Sequence, residues 1–164
     1  MPKQAAIRKA LKSDMPQVME LIRELAIYEK AEEEVAITAD TLIKDGFSDH
    51  PLFNCFVATD ENNVVLGFAL YYYKYSTWKG KALYLEDLLV SEKQRGQGIG
   101  KQLFDTLVAE AKHQNCGRME WQVLDWNHPA INFYEKYQAK MEDDWLNGKL
   151  FPADFDRILA DGSI

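Results

Sequence analysis

The sequence predicts an α/β fold whose sheet is mixed but mostly antiparallel, with helices flanking it. Three observations carry that reading. Apolar stretches at residues 53–59, 64–73 and 81–90 follow one another across short polar breaks, the connection length of an antiparallel meander. An amphipathic stretch, 99–111, then separates the last of these from a further strand-like segment, 119–124. Strand, long helix and strand in that order make the two strands parallel neighbours. Between the first of them and the helix stands Arg95-Gly96-Gln97-Gly98-Ile99-Gly100, a glycine-rich turn that opens a helix.

The remaining elements follow in chain order. Residues 4–9 alternate weakly and read as a first strand. Ser13-Asp14-Met15-Pro16 is a helix start, with cap residues ahead of a proline in the first turn. Val18, Leu21, Ile22, Leu25 and Ala26 continue it at helical spacing. Glu32-Glu33-Glu34 marks its end or the loop beyond and reads as a solvated charge run. Thr38 or Asp40 caps a second helix carrying Leu42, Ile43 and Phe47, closed by Gly46 and Pro51. Asp60-Glu61-Asn62-Asn63 is a turn. Past residue 124, Pro129 begins a short helix to Tyr137, with Asn127 or His128 as its cap. Residues 141–146 and 149–155 read as a closing hairpin around Asn147-Gly148, a favourable type I′ pair.

The bulk properties narrow the function. A chain of 164 residues with 47% hydrophobic content is expected to form one domain, 1–164, around one substantial core. No apolar run reaches the ~18 residues of a membrane span, and Met1-Pro2-Lys3-Gln4 lacks the apolar stretch of a signal peptide, so a cytoplasmic location is expected, with no membrane partner. Cys55 and Cys116 fit no metal spacing, and His50, His113 and His128 form no paired motif, so no metal is expected. His128 reads as a surface or cap residue. A net charge of −7 disfavours nucleic acid and suits either solubility or a cationic small molecule.

A glycine-rich turn at a helix N-terminus presents backbone N–H groups and a favourable dipole to an anion, and glycine lets a bulky phosphate lie close. A phosphorylated ligand is therefore expected. A Walker loop fails on spacing and on Gln102, which stands where a magnesium-binding hydroxyl is needed. The dinucleotide fingerprint fails because its third glycine comes one place early, and because the turn lies mid-chain.

The pattern Arg95-x-x-Gly98-x-Gly100, followed one strand later by Asn127-x-x-Ala130-x-x-x-Tyr134, resembles the GCN5-related N-acetyltransferases. The order of elements agrees along nearly the whole chain. Leu25-Ala26-x-Tyr28-Glu29, Tyr84-Leu85-Glu86-Asp87, Trp126-Asn127 and Asn132-Phe133-Tyr134 look like the diamine (spermidine/spermine) subgroup. Tyr75-Ser76-Thr77-Trp78-Lys79-Gly80 and Leu124-Asp125-Trp126-Asn127 look closer to its thialysine-acetylating branch. The polyamine branch has an aspartate where Ser76 stands, a loss that weakens a long polycation more than a short amine.

The resemblance implies a splayed central parallel strand pair, acetyl-CoA as cosubstrate, a small cationic amine as acceptor, and a homodimer. N–H groups of Gly96, Gln97, Gly98, Ile99, Gly100 and Lys101 would surround the diphosphate, with a side-chain charge from Arg95. Leu88 and Val90 would offer strand hydrogen bonds to the pantetheine, and Asn127 would bind its side. The acceptor is an ammonium with a pKa near ~10 and must lose a proton before it attacks. Glu86 is the expected base, acting through water, and the Tyr134 phenol the acid that protonates the departing thiolate. Tyr28, Glu29, Trp78, Glu86, Asp87 and Trp126 are the expected substrate contacts, aromatics by cation–π contact and carboxylates by charge. In a regular strand Glu86 and Asp87 face opposite ways, so a bulge is needed to bring both to one site. A protein-lysine or N-terminal acetyltransferase and a non-catalytic acyl-CoA-binding module stay open as alternatives. Three departures stand out: Gln138-Ala139 occupies the usual glycine turn after the tyrosine helix, the segment beyond is short, and residues 152–164 have no counterpart.

Overall fold

The computed structural model describes residues 5–160 and residue 162. Gln4, the expected first strand residue, lies outside the described residues, as do 161, 163 and 164 of the tail. Residues up to Gln122 form one compact unit, and 123–164 form a second.

The first unit contains the whole sheet, in the order β1 (Ala6–Lys9), β2 (Asn54–Thr59), β3 (Val65–Ser76), β4 (Gly80–Val90) and β5 (Arg118–Trp121). Successive pairs from β1 to β4 are antiparallel. β4 and β5 run parallel, with Ala82 to Leu85 opposite Arg118 to Trp121, as the long crossover requires. β5 ends before the expected Leu124 and stands last in the order.

Helix α1 (Met15–Tyr28) and helix α2 (Ala39–Gly46) cover one face. Met15, Val18, Met19, Leu21 and Leu42 bury against Val57, Phe68, Leu70 and Leu89 there. Met15, Val18, Val57 and Phe68 have no exposed surface, and each apolar side chain of that size contributes about 1.5–3 kcal/mol by leaving water. The α1 start is not a side-chain cap. Asp14 turns back to Arg8, 2.7 Å away, and accepts the Leu11 N–H, which ties β1 to the helix. Of the two candidate caps for α2, Thr38 is the one used: its hydroxyl accepts the Thr41 N–H.

The alternate residues of the strands face the other way. Helix α3 (Ile99–His113) buries Ile99, Leu103, Phe104 and Leu107, and Phe104 meets the Trp121 ring edge-on at 5.4 Å. The Tyr73 hydroxyl donates to Glu110 on α3 at 2.8 Å.

In the second unit helix α4 (His128–Glu135) is capped by Asn127, whose carboxamide oxygen accepts the Ala130 N–H. The expected closing hairpin is absent. Residues 139–151 carry no strand, and Pro152–Ala160 form helix α5. A type I′ turn needs positive φ at both central residues, and neither Asn147 nor Gly148 has it. The segment starts a helix because Pro152 suits a first turn and Asp154 accepts the Phe151 N–H at 2.9 Å, a reciprocal capping contact.

Candidate active site

The β4-to-α3 junction is built on two left-handed glycines. Gly96 has φ +79° and Gly98 φ +80°, a region where an L-side chain is strained. Gly98 is the N-cap of α3. A side chain at either would project into open space, so the main chain there is uncovered. The amides that follow begin a 15-residue helix and sit at its positive pole. Such a turn can receive an anion.

Arg95 points away from that turn. Its Nε donates to the Val90 carbonyl at 3.1 Å, Nη2 lies 3.7 Å from Glu24, and the guanidinium sits 5.7 Å from the centre of the Tyr28 ring. Glu24 also accepts the Glu92 N–H at 2.8 Å. Arg95 thus secures the loop to α1, and the amides are left to meet an anion. Glu24 in this role had no sequence signal. Gln97 bonds Gln94 at 3.1 Å, and Lys101 pairs with Asp105 along α3.

Just upstream, β4 is irregular. Leu70 pairs with Asp87 but Tyr71 with Leu85, so Glu86 is an extra residue in the ladder. Such a bulge bends its strand. The parallel ladder to β5 also ends at Leu85, while β4 continues through Leu88 to Val90. The ladder stops there because β5 itself ends at Trp121, opposite Leu85.

The bulge changes the two acids. Asp87 stands opposite Leu70 and two before Leu89, on the face covered by α1. Glu86 is exposed, and its Oε2 accepts the Tyr72 hydroxyl at 2.9 Å, so its carboxylate lies on the Tyr72 side. Both acids therefore reach one face, as a single-site role demands. Asp87 is half-buried. Burial pushes its carboxyl up from 3.8 to about 7, and the Glu86 and Glu29 charges add to the rise. Glu29, at the C-terminal end of α1, is itself raised by burial. Glu29, Glu86 and Asp87 thus lie within electrostatic reach of one another, and the neighbouring Tyr28 ring lies beside Arg95. Trp78 is instead on the β3–β4 turn and 81% exposed; the Ser76 hydroxyl accepts its N–H and that of Lys79.

In the second unit, Tyr134 is 7% exposed and packs edge-on against Phe133 at 5.2 Å. Asn127 caps the same helix, and Trp126 precedes it in the turn closed by Asn127 N–H to Leu124 O. Gln138 takes φ +57°, so the glycine turn is kept with a strained residue in it.

A profile described as "Acetyltransferase (GNAT) family" matches residues 15–139. The chain is 40% identical over 151 residues to a thialysine N-epsilon-acetyltransferase of Mus musculus, covering 86% of this chain and 89% of that one. It is 37% identical over 148 residues to spermidine/spermine N(1)-acetyltransferase-like protein 1 of Homo sapiens, covering 85% of this chain and 21% of that longer one. Among solved structures, an integron cassette protein from V. cholerae superposes with a TM-score of 0.76 at 25% identity, over 95% of this chain and 98% of that one. Among the described residues no group of acids, cysteines and histidines could hold a metal, and no helix is long and apolar enough to cross a membrane.

Proposed function

From the premise that the chain belongs to the GNAT family of acetyltransferases, we propose that it transfers acetyl from acetyl-CoA to a primary amine of a small cationic substrate, of the thialysine, diamine or polyamine kind. The observation that carries this reading is the uncovered glycine turn at the head of α3, immediately after a strand that runs past the end of its parallel neighbour and bears two carboxyls on one face. Identity of 40% to a thialysine N-epsilon-acetyltransferase supports the choice of amine.

Bound acetyl-CoA supplies the thioester that the amine attacks. The residues around it do the rest. Amides of Gly96 through Lys101 hold the diphosphate. The β4 backbone from Leu88 to Val90 offers an edge on which the pantetheine lies as an added strand. Asn127 flanks it. The carboxyls of Glu86, Asp87 and Glu29 attract the ammonium, with Tyr28 and Trp126 as the aromatic contacts the family resemblance implies; Trp78, on the far β3–β4 turn, is not among them. Glu86 accepts the ammonium proton through water, and the buried Tyr134 phenol donates one to the departing sulfur. Residues 1–164 act as one acetyltransferase domain, working in the cytoplasm. The exposed Trp145, Leu146, Leu150 and Phe151 support the homodimer that the family resemblance implies.

Thiol release from acetyl-CoA, followed over thialysine, lysine, spermidine, short diamines and a lysine peptide, tests this reading. Turnover on the small amines above the peptide is the expected result. Turnover on the peptide alone assigns a protein substrate, and none on any amine leaves an acyl-CoA-binding module.

A further inference from the structure

The glycine turn has little packing to hold it. A side chain at Gly96 or Gly98 would meet nothing within 4 Å, and glycine loses more freedom on ordering than any other residue. The path of the main chain there is therefore set at its two ends. Downstream the end is α3, held by buried Ile99 and Leu103. Upstream it is a short 3-10 turn, Glu92–Gln94, whose N-cap, Ser91, makes no side-chain capping bond. Glu24 on α1 takes that place from 68 residues away, its Oε1 accepting the Glu92 N–H at 2.8 Å. The same oxygen lies 3.7 Å from Arg95 Nη2. One helical turn further along α1, the Tyr28 ring sits 5.7 Å from the Arg95 guanidinium. Among the described residues, the hydrogen bonds and charge contacts that tie residues 92–97 to an element other than β4 run to α1 at these points. α1 is itself fixed by Met15, Val18 and Leu21 in the core. A carboxylate bonded to an N–H is a strong contact, whereas a half-exposed ion pair contributes little alone, so the bond to Glu92 is the main strut.

Resting on the reading of the chain as an acetyl-CoA-dependent transferase, we propose that Glu24 is a positioning residue for the cofactor. From α1 it caps the turn ahead of the glycines and seats Arg95, so that the amides of Gly96 to Lys101 stand ready for the diphosphate before it arrives. Arg95 serves binding through that seat and not by placing its charge on the phosphate. A turn already ordered in the free protein loses less entropy when its ligand binds, which raises affinity without a new contact. Glu24 acts on the cofactor through the main chain it holds, so its effect falls on the cofactor and largely spares the amine.

The test is calorimetric CoA binding, together with acetyl-CoA kinetics on thialysine, for the wild type, Glu24→Gln, Glu24→Ala, Arg95→Ala and the double variant Glu24→Ala/Arg95→Ala. Urea midpoints show that each is folded. Glutamine keeps an acceptor for the Glu92 N–H; alanine removes it and suits a helix interior. Glu24→Ala should weaken CoA binding about 10-fold and raise KM for acetyl-CoA to match, with smaller changes in kcat and in KM for thialysine. Glu24→Gln should recover most of that loss. Because Arg95 works through the same seat, the double variant should bind CoA about as the weaker single variant does. Wild-type CoA affinity in Glu24→Ala overturns the inference, and so does a Glu24→Gln as weak as Glu24→Ala. Single losses that multiply in the double variant give Arg95 an independent hold on the phosphate and overturn its part in the proposal. A wild type that binds no CoA overturns the cofactor reading itself. A wild type that binds CoA, with Glu24→Ala unaffected, leaves that reading standing and removes only the role of Glu24.

Discussion

Asp87 costs the fold stability at any pH that ionises it in the unfolded chain, and Asp87→Asn should return it. The carboxyl titrates at about 7 in the folded protein against an ordinary 3.8. Its folded-state value is raised, so between those two values the folded state binds the extra proton and stability falls as pH rises. At about pH 5 the unfolded chain is mostly ionised and the folded one protonated, a penalty of about 1.7 kcal/mol. At about pH 8 both are ionised and the penalty reaches about 4.3 kcal/mol. Asparagine keeps the shape without the charge. The stability of Asp87→Asn relative to wild type should therefore grow by about 2.6 kcal/mol between those two pH values. Urea denaturation at both, with the midpoint gap converted through the slope, measures it. Groups remote from Asp87 cancel in the difference between the two proteins, and relief of Glu86 and Glu29, whose charges raise Asp87, adds in the same direction. A gap that is the same at both pH values, or that shrinks toward alkaline pH, refutes the reasoning.

Three further outcomes follow from other parts of the structure. Tyr134→Phe should lower kcat by about 100-fold or more while calorimetric CoA affinity stays within a factor of two or so; unchanged turnover removes the phenol from the reaction. Gln138 holds φ +57°, so Gln138→Gly should stabilise the protein by about 0.5–1 kcal/mol, less than the 1–2 kcal/mol cost of a left-handed residue because glycine loses more entropy on folding; a urea midpoint that falls contradicts this. Gly98→Val places a branched side chain at φ +80° in the open space over the turn and should abolish CoA binding by calorimetry, with retained affinity contradicting the assignment of that turn.

The meander, the parallel pair and the glycine turn were legible because each leaves a compositional mark: alternating apolar runs, a long amphipathic insert, and Gly96 and Gly98 where positive φ is required. The bulge at Glu86 leaves none, since one extra residue in an apolar run looks like any other. Two adjacent carboxyls share one face only where such a bulge exists. Tyr72 and Glu24 went unnoticed for a related reason: their partners lie on other elements, 14 residues away for Tyr72 and 68 for Glu24. The false hairpin shows a strong local signal losing. Asn147-Gly148 favours a tight turn, yet Pro152 and Asp154 start a helix within the second proposed strand, and a lone hairpin is marginal without a sheet to join.

The claim on which the rest stands is that the backbone between Gly96 and Lys101 holds the diphosphate of coenzyme A. Adding CoA to nitrogen-15-labelled protein and following the amide resonances tests it at the atoms concerned. The largest saturable shifts should fall on Gly96 through Lys101, with a second set from Leu88 to Val90. Shifts clustered elsewhere while those amides stay still, or none at millimolar CoA, would contradict it.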